Sequence, residues 1–247
     1  MTLKEFFDIC PKAALAFSGG VDSAYLLYAA VQSGADVKPY FIKTPFQPES
    51  ELRDARLLAE ELGTELTVLE HDVLADEQVA SNPPDRCYHC KKAIFGRLKE
   101  RAAADGYRVI QDGTNASDLR DDRPGMKALE EMEIRSPLRE CGLTKDQIRS
   151  FSREAGLFTW NKPSYACLAT RFPAGTDLTE EKLAAAEQAE NALKELGFSD
   201  FRVRVWHGAA RLQFPEKQWL AAAGRRQEIR DVLKPFFQTV FLDLEVR

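Results

Sequence analysis

Apolar positions along this chain fall into two alternating rhythms, short unbroken runs and longer stretches with an apolar residue every third or fourth position. Ala13-Ala14-Leu15-Ala16-Phe17 is unbroken, which predicts a strand buried on both faces. Asp22-Ser23-Ala24-Tyr25-Leu26-Leu27 reads as the start of a helix. Val37 to Ile42 predicts a second strand, Glu49 to Leu62 an amphipathic helix closed by Gly63, and Glu65 to Leu69 a third strand. A long helix is expected from about Cys87 to Ala104, closed by Gly106. Arg108-Val109-Ile110-Gln111 forms a fourth strand running into Asp112-Gly113-Thr114-Asn115. Thr144 with Gln147 makes a capping-box start for a helix through Ala155 that ends at Gly156. Alternation of this kind predicts an α/β fold with a parallel sheet flanked by helices.

Around Pro173 to Asp177 the character changes. An alanine- and glutamate-rich helix is expected from Thr179 to Leu196, ending at Gly197. Phe201–Trp206 and Ala210–Phe214 read as paired strands around His207-Gly208, followed by a helical stretch from Glu216 to Leu233 and a last strand from Thr239 to Val246. The expected organisation is therefore a first domain over 1–172 and a small α+β domain over 173–247. There is no internal repeat and no low-complexity segment.

Charge and cysteine content narrow the function. A net charge of −5 over 247 residues argues against a protein that grips nucleic acid through a broad basic face. No apolar run approaches bilayer-spanning length, and the start Met-Thr-Leu-Lys-Glu-Phe-Phe-Asp lacks signal-peptide character, so a cytoplasmic protein is expected. Five cysteines are an odd number, and in a reducing compartment they point to metal or sulfur chemistry rather than a disulfide framework.

The junction between the first strand and its helix, Ser18-Gly19-Gly20-Val21-Asp22-Ser23, carries the clearest chemistry. Two glycines let the backbone fold tightly with its N–H groups turned into one concavity, and the helix N-terminus adds partial positive charge. Such a loop suits a phosphate or pyrophosphate. It lacks the Gly-Lys-Ser/Thr ending of a Walker A loop, so γ-phosphate hydrolysis is not the natural reading. A tight turn with a capping Ser or Asp is the plain alternative.

Cys87-Tyr88-His89-Cys90 stands at the start of a helix, and a spacing of three puts both sulfurs on one helix face. A helix N-terminus favours the thiolate. A third cysteine, Cys167, lies far along the chain in Pro163-Ser164-Tyr165-Ala166-Cys167-Leu168-Ala169-Thr170-Arg171. Structural zinc with His89 as a fourth ligand, a dithiol redox pair, and a 4Fe–4S cluster on three cysteines with one open iron all remain compatible with this spacing. Cys10 and Cys141 have no partner pattern and read as packing residues.

The loop resembles the signature of the PP-loop ATP pyrophosphatases (adenine nucleotide alpha hydrolase-like). Over almost the whole length the chain resembles the LarE family of sulfur transferases, which act in synthesis of a nickel-pincer nucleotide. The stretches that carry the match are Phe17–Ser23, Arg86–Lys91, Asp112–Asp118, Asp122–Gly125, Arg135–Leu138, Pro163–Arg171 and Phe201-Arg202-Val203-Arg204. The resemblance implies ATP with Mg²⁺, the nucleotide held by Phe17, Ser18, Gly19, Gly20, Val21, Asp22 and Ser23. Asp22 either positions Mg²⁺ on the phosphates or caps the helix. Gly113, Thr114 and Asn115, after the fourth strand at the carboxyl edge where such sheets bind ligands, either join the nucleotide site or form an ordinary turn. The resemblance also implies adenylation of a carboxylate of pyridinium-3,5-biscarboxylic acid mononucleotide, then attack by a sulfur nucleophile. Sulfur comes either from Cys167 itself, as in single-cysteine members, or from a 4Fe–4S cluster on Cys87, Cys90 and Cys167, recharged by sulfide or another donor. Having all three cysteines, the chain is expected to be of the cluster type, and family precedent implies a homo-oligomer.

Arg202 and Arg204 alternate on one strand and leave the same face, which suits an anionic substrate, with Arg171 nearby in the motif; a solvated outer face is the alternative. Gln213 stands where the family pattern has an acid, which puts any metal or base role there in doubt. Asp118, Asp122 and Arg123 are read as site or surface charges, Lys91 and Lys92 as solvated or phosphate-neutralising. His71 and His207 are read as surface or turn residues, and Trp160 as packing. Rival readings are a tRNA-thiolation or nucleotide-amidation PP-loop enzyme, and a non-enzymatic nucleotide-binding module.

Overall fold

The structure, a computed structural model, describes residues 1–118 and 124–247. Asp122 and Arg123 lie outside the described residues. The elements run α1 (Leu3–Ile9), β1 (Lys12–Ala16), α2 (Val21–Gln32), β2 (Asp36–Lys43), α3 (Glu49–Glu61), β3 (Thr67–Glu70), α4 (Glu77–Ala80), α5 (Arg86–Ala104), β4 (Ile110–Gln111), α6 (Pro124–Glu131), α7 (Pro137–Glu140) and α8 (Lys145–Glu154). They continue with α9 (Glu180–Glu195), β5 (Arg202–Trp206), β6 (Ala209–Gln213), α10 (Glu216–Gly224), α11 (Arg226–Leu233) and β7 (Val240–Leu242).

β1 to β4 form a parallel sheet in the order β3-β2-β1-β4. Ala13, Ala14 and Leu15 of β1 are fully buried, as an interior strand covered by helices on both faces requires. One face packs Phe6, Phe7, Leu26, Leu27, Ala55, Leu58 and Ile148; the other packs Tyr40, Phe95, Leu98, Ile110 and Leu129. The chain builds β2 and β3 on one side of β1, then crosses to place β4 on the other. That reversal makes a switch point between β1 and β4, where the loops after both strands open a crevice.

Two compact units emerge. The first comprises residues 1–73 and 85–165, the second residues 74–84 and 166–247. The break falls at Tyr165/Ala166 rather than near 172, and the segment around α4 joins the later unit. Backbone bonds explain this: Leu178 N–H donates to Ala80 O at 2.7 Å and Gly175 N–H to Asn82 O at 2.8 Å, while the Asn82 amide donates to Pro173 O at 2.8 Å. In the second unit β5 pairs antiparallel with β6, and β6 pairs parallel with β7. Its core gathers Leu193, Phe198, Phe201, Val203, Leu212, Phe214, Ile229 and Leu233.

Several expected elements are shorter or divided. The fourth strand is Ile110–Gln111 alone and the last is Val240–Leu242. The stretch from Glu216 to Leu233 is two helices with Gly224 and Arg225 at the joint. α1, whose Thr2 and Glu5 form a reciprocal capping box, had not been anticipated.

Candidate active site

The first turn of α2 has Gly20 as N-cap, with no side chain capping it, so its N–H groups are left for water or a ligand. Gly19 has φ +67°, and a Cβ there would lie 2.9 Å from Ala55 N and 3.1 Å from Glu51 O. Only glycine fits. Ser18 and Ser23 brace the loop: their hydroxyls are 3.2 Å apart, Ser18 N–H donates to Ser23 Oγ at 3.3 Å, and Gly20 N–H donates to Ser18 Oγ at 3.3 Å.

The loop after β4 closes on this turn. A Cβ on Gly113 would lie 3.0 Å from Ser23 N, so the absence of a side chain is what lets the two backbones meet. Asp112 accepts hydrogen bonds from Thr114 Oγ1 at 2.5 Å and Ser136 Oγ at 2.7 Å. Asn115 Oδ1 accepts from Ser117 N–H at 2.8 Å, and Asn115 Nδ2 donates to Asp22 Oδ1 at 3.3 Å. Between the loops opens a cavity of about 380 Å³, lined by Phe17, Ser18, Gly20, Asp22, Ser23, Gly113, Thr114 and Asp118, with Phe41, Ile42, Ile94 and Phe95 as an apolar wall and Gln47 and Lys91 at its side. A polar end rich in N–H groups and an apolar wall suit a nucleotide.

Asp22 does not cap the helix. Its carboxylate meets Lys145 Nζ at 2.5 Å, and burial holds its carboxyl above the usual carboxylate range despite the opposing hydrogen bond and charge of Lys145. On the outer side of the turn, Lys162 Nζ donates to Gly19 O at 3.3 Å and pairs with Asp54 at 2.7 Å.

At the start of α5, Cys87 is exposed and Cys90 half-buried. Arg86, itself buried, donates from Nη2 to Cys87 Sγ at 3.4 Å. His89 Nε2 lies 3.3 Å from Asp85 Oδ2. Among the described residues, no three His, Cys, Asp or Glu side chains are gathered within reach of one metal ion.

In the second unit, half-buried Cys167 stands immediately before a 3-10 turn over Leu168–Arg171. Arg171 is fully buried and pairs bidentately with Glu190, Nε to Oε1 at 2.7 Å and Nη2 to Oε2 at 3.1 Å. Arg204 is half-buried; it donates to Thr170 O, and from Nε to Gln213 Oε1 at 2.9 Å. Burial lowers its pKa, and the nearby charges of Arg171, Arg247 and Arg211 lower it further. Arg202 is buried, with Nη1 donating to Phe201 O at 2.6 Å. Gln213 Nε2 in turn donates to Asp243 Oδ2 at 2.9 Å, and Arg211 Nε donates to the same oxygen at 2.7 Å. Burial pushes the Asp243 carboxyl up, yet the bonds from Gln213 and Arg211 outweigh it and leave it below the usual range.

Residues 11–117 match the asparagine synthase family. A pyridinium-3,5-bisthiocarboxylic acid mononucleotide synthase of Lactiplantibacillus plantarum is 37% identical over 207 residues, covering 83% of this chain and 75% of that protein. The chain belongs to the LarE family. An uncharacterized protein of Synechocystis is 37% identical over 217 residues, covering 87% of this chain and 81% of its own. More distantly, a tRNA-specific 2-thiouridylase of Pseudothermotoga lettingae is 26% identical over 187 residues, covering 61% of this chain and 54% of its own. With a PP-loop domain and this kinship, the LarE-family chain is an ATP-using sulfur transferase.

On this LarE framework Phe17, Ser18, Gly20, Asp22, Ser23, Gly113 and Thr114 line one crevice, whereas Gly19, Val21 and Asn115 are not part of its lining, and Val21 and Asn115 are buried. Arg202 and Arg204 are not a solvated outer face, since both are engaged and at least half-buried. His207 sits at positive φ in the β5–β6 turn, and Trp160 lies under the Arg153 guanidinium. Lys145 and Lys162 were missed. A signal for Lys145 existed: a cation at the first position of a helix opposes the macrodipole, a local conflict that marks functional positions.

Proposed function

We propose that this protein adenylates the carboxylates of pyridinium-3,5-biscarboxylic acid mononucleotide with ATP and converts them to thiocarboxylates. The observation that carries the reading is the crevice where the Ser18–Ser23 turn and the Asp112–Asn115 loop meet at the carboxyl ends of β1 and β4. The turn's N–H groups hold the β,γ-pyrophosphate, and the Asp22 carboxylate, which now pairs with Lys145, would hold Mg²⁺, whose charge would offset that of the phosphates. A substrate carboxylate oxygen attacks the α-phosphorus; the bond to the β-phosphate oxygen breaks and pyrophosphate leaves. The acyl adenylate now has AMP as a good leaving group. A sulfur nucleophile forms the C–S bond at the acyl carbon and AMP departs, leaving the thiocarboxylate. Arg204, held by Gln213, which in turn is held by Asp243, faces the anionic substrate, while the buried Arg171 is occupied by Glu190 and does not reach it.

Cys87, Cys90 and Cys167 would hold a 4Fe–4S cluster, which supplies a sulfide at its open iron and is recharged by sulfide or another donor. Three thiols, two of them one helical turn apart, are the donor set such a cluster takes. Sacrifice of the Cys167 sulfur is the second reading; it needs no three-residue ligand group, and none is gathered among the described residues. Anaerobic purification with iron and sulfide assay separates the two: bound cluster is expected, and an iron-free protein that still forms product over several turnovers would refute the cluster.

The net charge of −5 supports a small-molecule substrate over tRNA. No described helix is long and apolar enough to cross a membrane. The working form is taken as a cytoplasmic homo-oligomer, supported by exposed Trp206, Phe241, Leu244 and Val246, which offer apolar surface to bury.

A further inference from the structure

We propose that the buried Arg171–Glu190 pair, acting through Thr170, positions the Cys167 thiol against the face of β5 that carries Arg204. The inference rests on the assignment of Cys167 to sulfur delivery. Arg171 and Glu190 have side chains 0% and 1% exposed, although neither charge is needed for packing. Arg171 spends Nε and Nη2 on Glu190, while its Nη1 donates to Ala166 O at 3.1 Å and to Thr170 Oγ1 at 2.9 Å. The Thr170 hydroxyl in turn donates a hydrogen bond to Cys167 O at 2.8 Å, and Thr170 N–H donates to the same oxygen at 3.0 Å.

The carbonyl before Cys167 and the carbonyl of Cys167 are therefore both anchored. These belong to the two peptide planes flanking its Cα, so the backbone angles of Cys167 are fixed and only the side-chain torsion is left to the thiol. The anchor is tied to β5 twice, because Glu190 Oε1 accepts from Val203 N–H at 3.1 Å and Arg204 donates to Thr170 O. A buried ion pair stabilises a fold little better than apolar residues of the same shape. Apolar side chains could not fix several oxygens in set directions, whereas the rigid five-donor fork of a guanidinium does. The pair's contribution is geometry at the sulfur.

The test uses Thr170→Val, which keeps the shape and removes the hydroxyl, and Thr170→Ser, which restores it. Full-length variants are assayed for thiocarboxylate formed per pyrophosphate released. Cys167 alkylation by iodoacetamide is followed by peptide mass spectrometry after chelation of iron. Thr170→Val is expected to lower the thiocarboxylate-to-pyrophosphate ratio about tenfold or more and to speed Cys167 alkylation several-fold, with Cys87 alkylation unchanged. Thr170→Ser is expected to recover both. A Thr170→Val protein that matches the parent in ratio and in Cys167 alkylation overturns the positioning role. If the parent itself forms no thiocarboxylate, the sulfur-transfer reading fails, and the alkylation rates still decide whether the clamp sets the thiol.

Discussion

Lys145 Nζ lies 2.5 Å from Asp22 Oδ2, joining the first turn of α8 to the first turn of α2 across 123 positions of sequence. The lysine opposes the burial that disfavours the charged form of the Asp22 carboxylate, which lines the crevice between the two loops. Replacing Asp22 with Asn is expected to cut substrate-dependent pyrophosphate release by about 100-fold or more, the size typical of removing one preorganised electrostatic group. Release within threefold of the parent would remove Asp22 from the site.

The same substitution makes a prediction about stability. Burial raises the Asp22 pKa above its unfolded value. Its contribution to stability is therefore complete below the unfolded pKa and fades as pH rises through the folded one, so at neutral pH the charge opposes folding. The melting temperature of Asp22→Asn at pH 7 should stay level or rise; a drop of many degrees would show that the ion pair with Lys145 holds the fold together.

A pH–rate profile follows from that shift. If the ionised carboxylate is required, pyrophosphate release falls on the acid side at a pH above the ordinary aspartate range. Lys145→Ala removes the opposing cation, which moves the acid limb still higher. An unmoved limb in that variant would mean another group governs the titration.

Gly19→Ala combines a left-handed backbone angle with a Cβ 2.9 Å from Ala55 N. Denaturant unfolding should show a loss of more than about 1 kcal/mol, because the strain must be relieved by moving α3 or the loop. Equilibrium dialysis should show weakened ATP binding as well. Gly34→Ala, at φ +70° with open space around it, supplies the control for strain without crowding.

Glu190→Gln strands the Arg171 guanidinium in the interior of the second unit. Breaking a buried pair in this way costs about 3–5 kcal/mol, far more than an exposed pair such as Lys4–Asp8 is worth. Urea titration of Glu190→Gln beside Asp8→Asn reads the contrast directly, and equal midpoints would contradict the burial argument.

The geometry of the tight turn after β1 was legible because its determinants are local. An apolar run, two glycines and a helix start specify the Ser18–Ser23 turn, and β4 delivers Gly113 beside it through the ordering of a parallel sheet. Lys145 and Lys162 were not legible, because each reaches the turn by tertiary packing from a distant segment. Arg171 and Arg202 read in sequence as cations available to a substrate. Burial and the pairing with Glu190 decide where the Arg171 charge goes, and nothing in strand alternation reports a helix packed against the opposite side. That residues 74–84 belong to the second compact unit was not legible for a related reason: they hydrogen-bond to a segment about 90 positions later, a pairing invisible to local pattern.

The central claim is that adenylation at the PP-loop serves sulfur delivery through Cys167. The direct measurement incubates the full chain with ATP, Mg²⁺, sulfide and pyridinium-3,5-biscarboxylic acid mononucleotide, and follows pyrophosphate, AMP and thiocarboxylate together. The expected result is substrate-dependent pyrophosphate release matched by AMP, with thiocarboxylate formed by the parent and none by Cys167→Ala, which still releases pyrophosphate. Formation of ADP and phosphate, or of thiocarboxylate without Cys167, would contradict it.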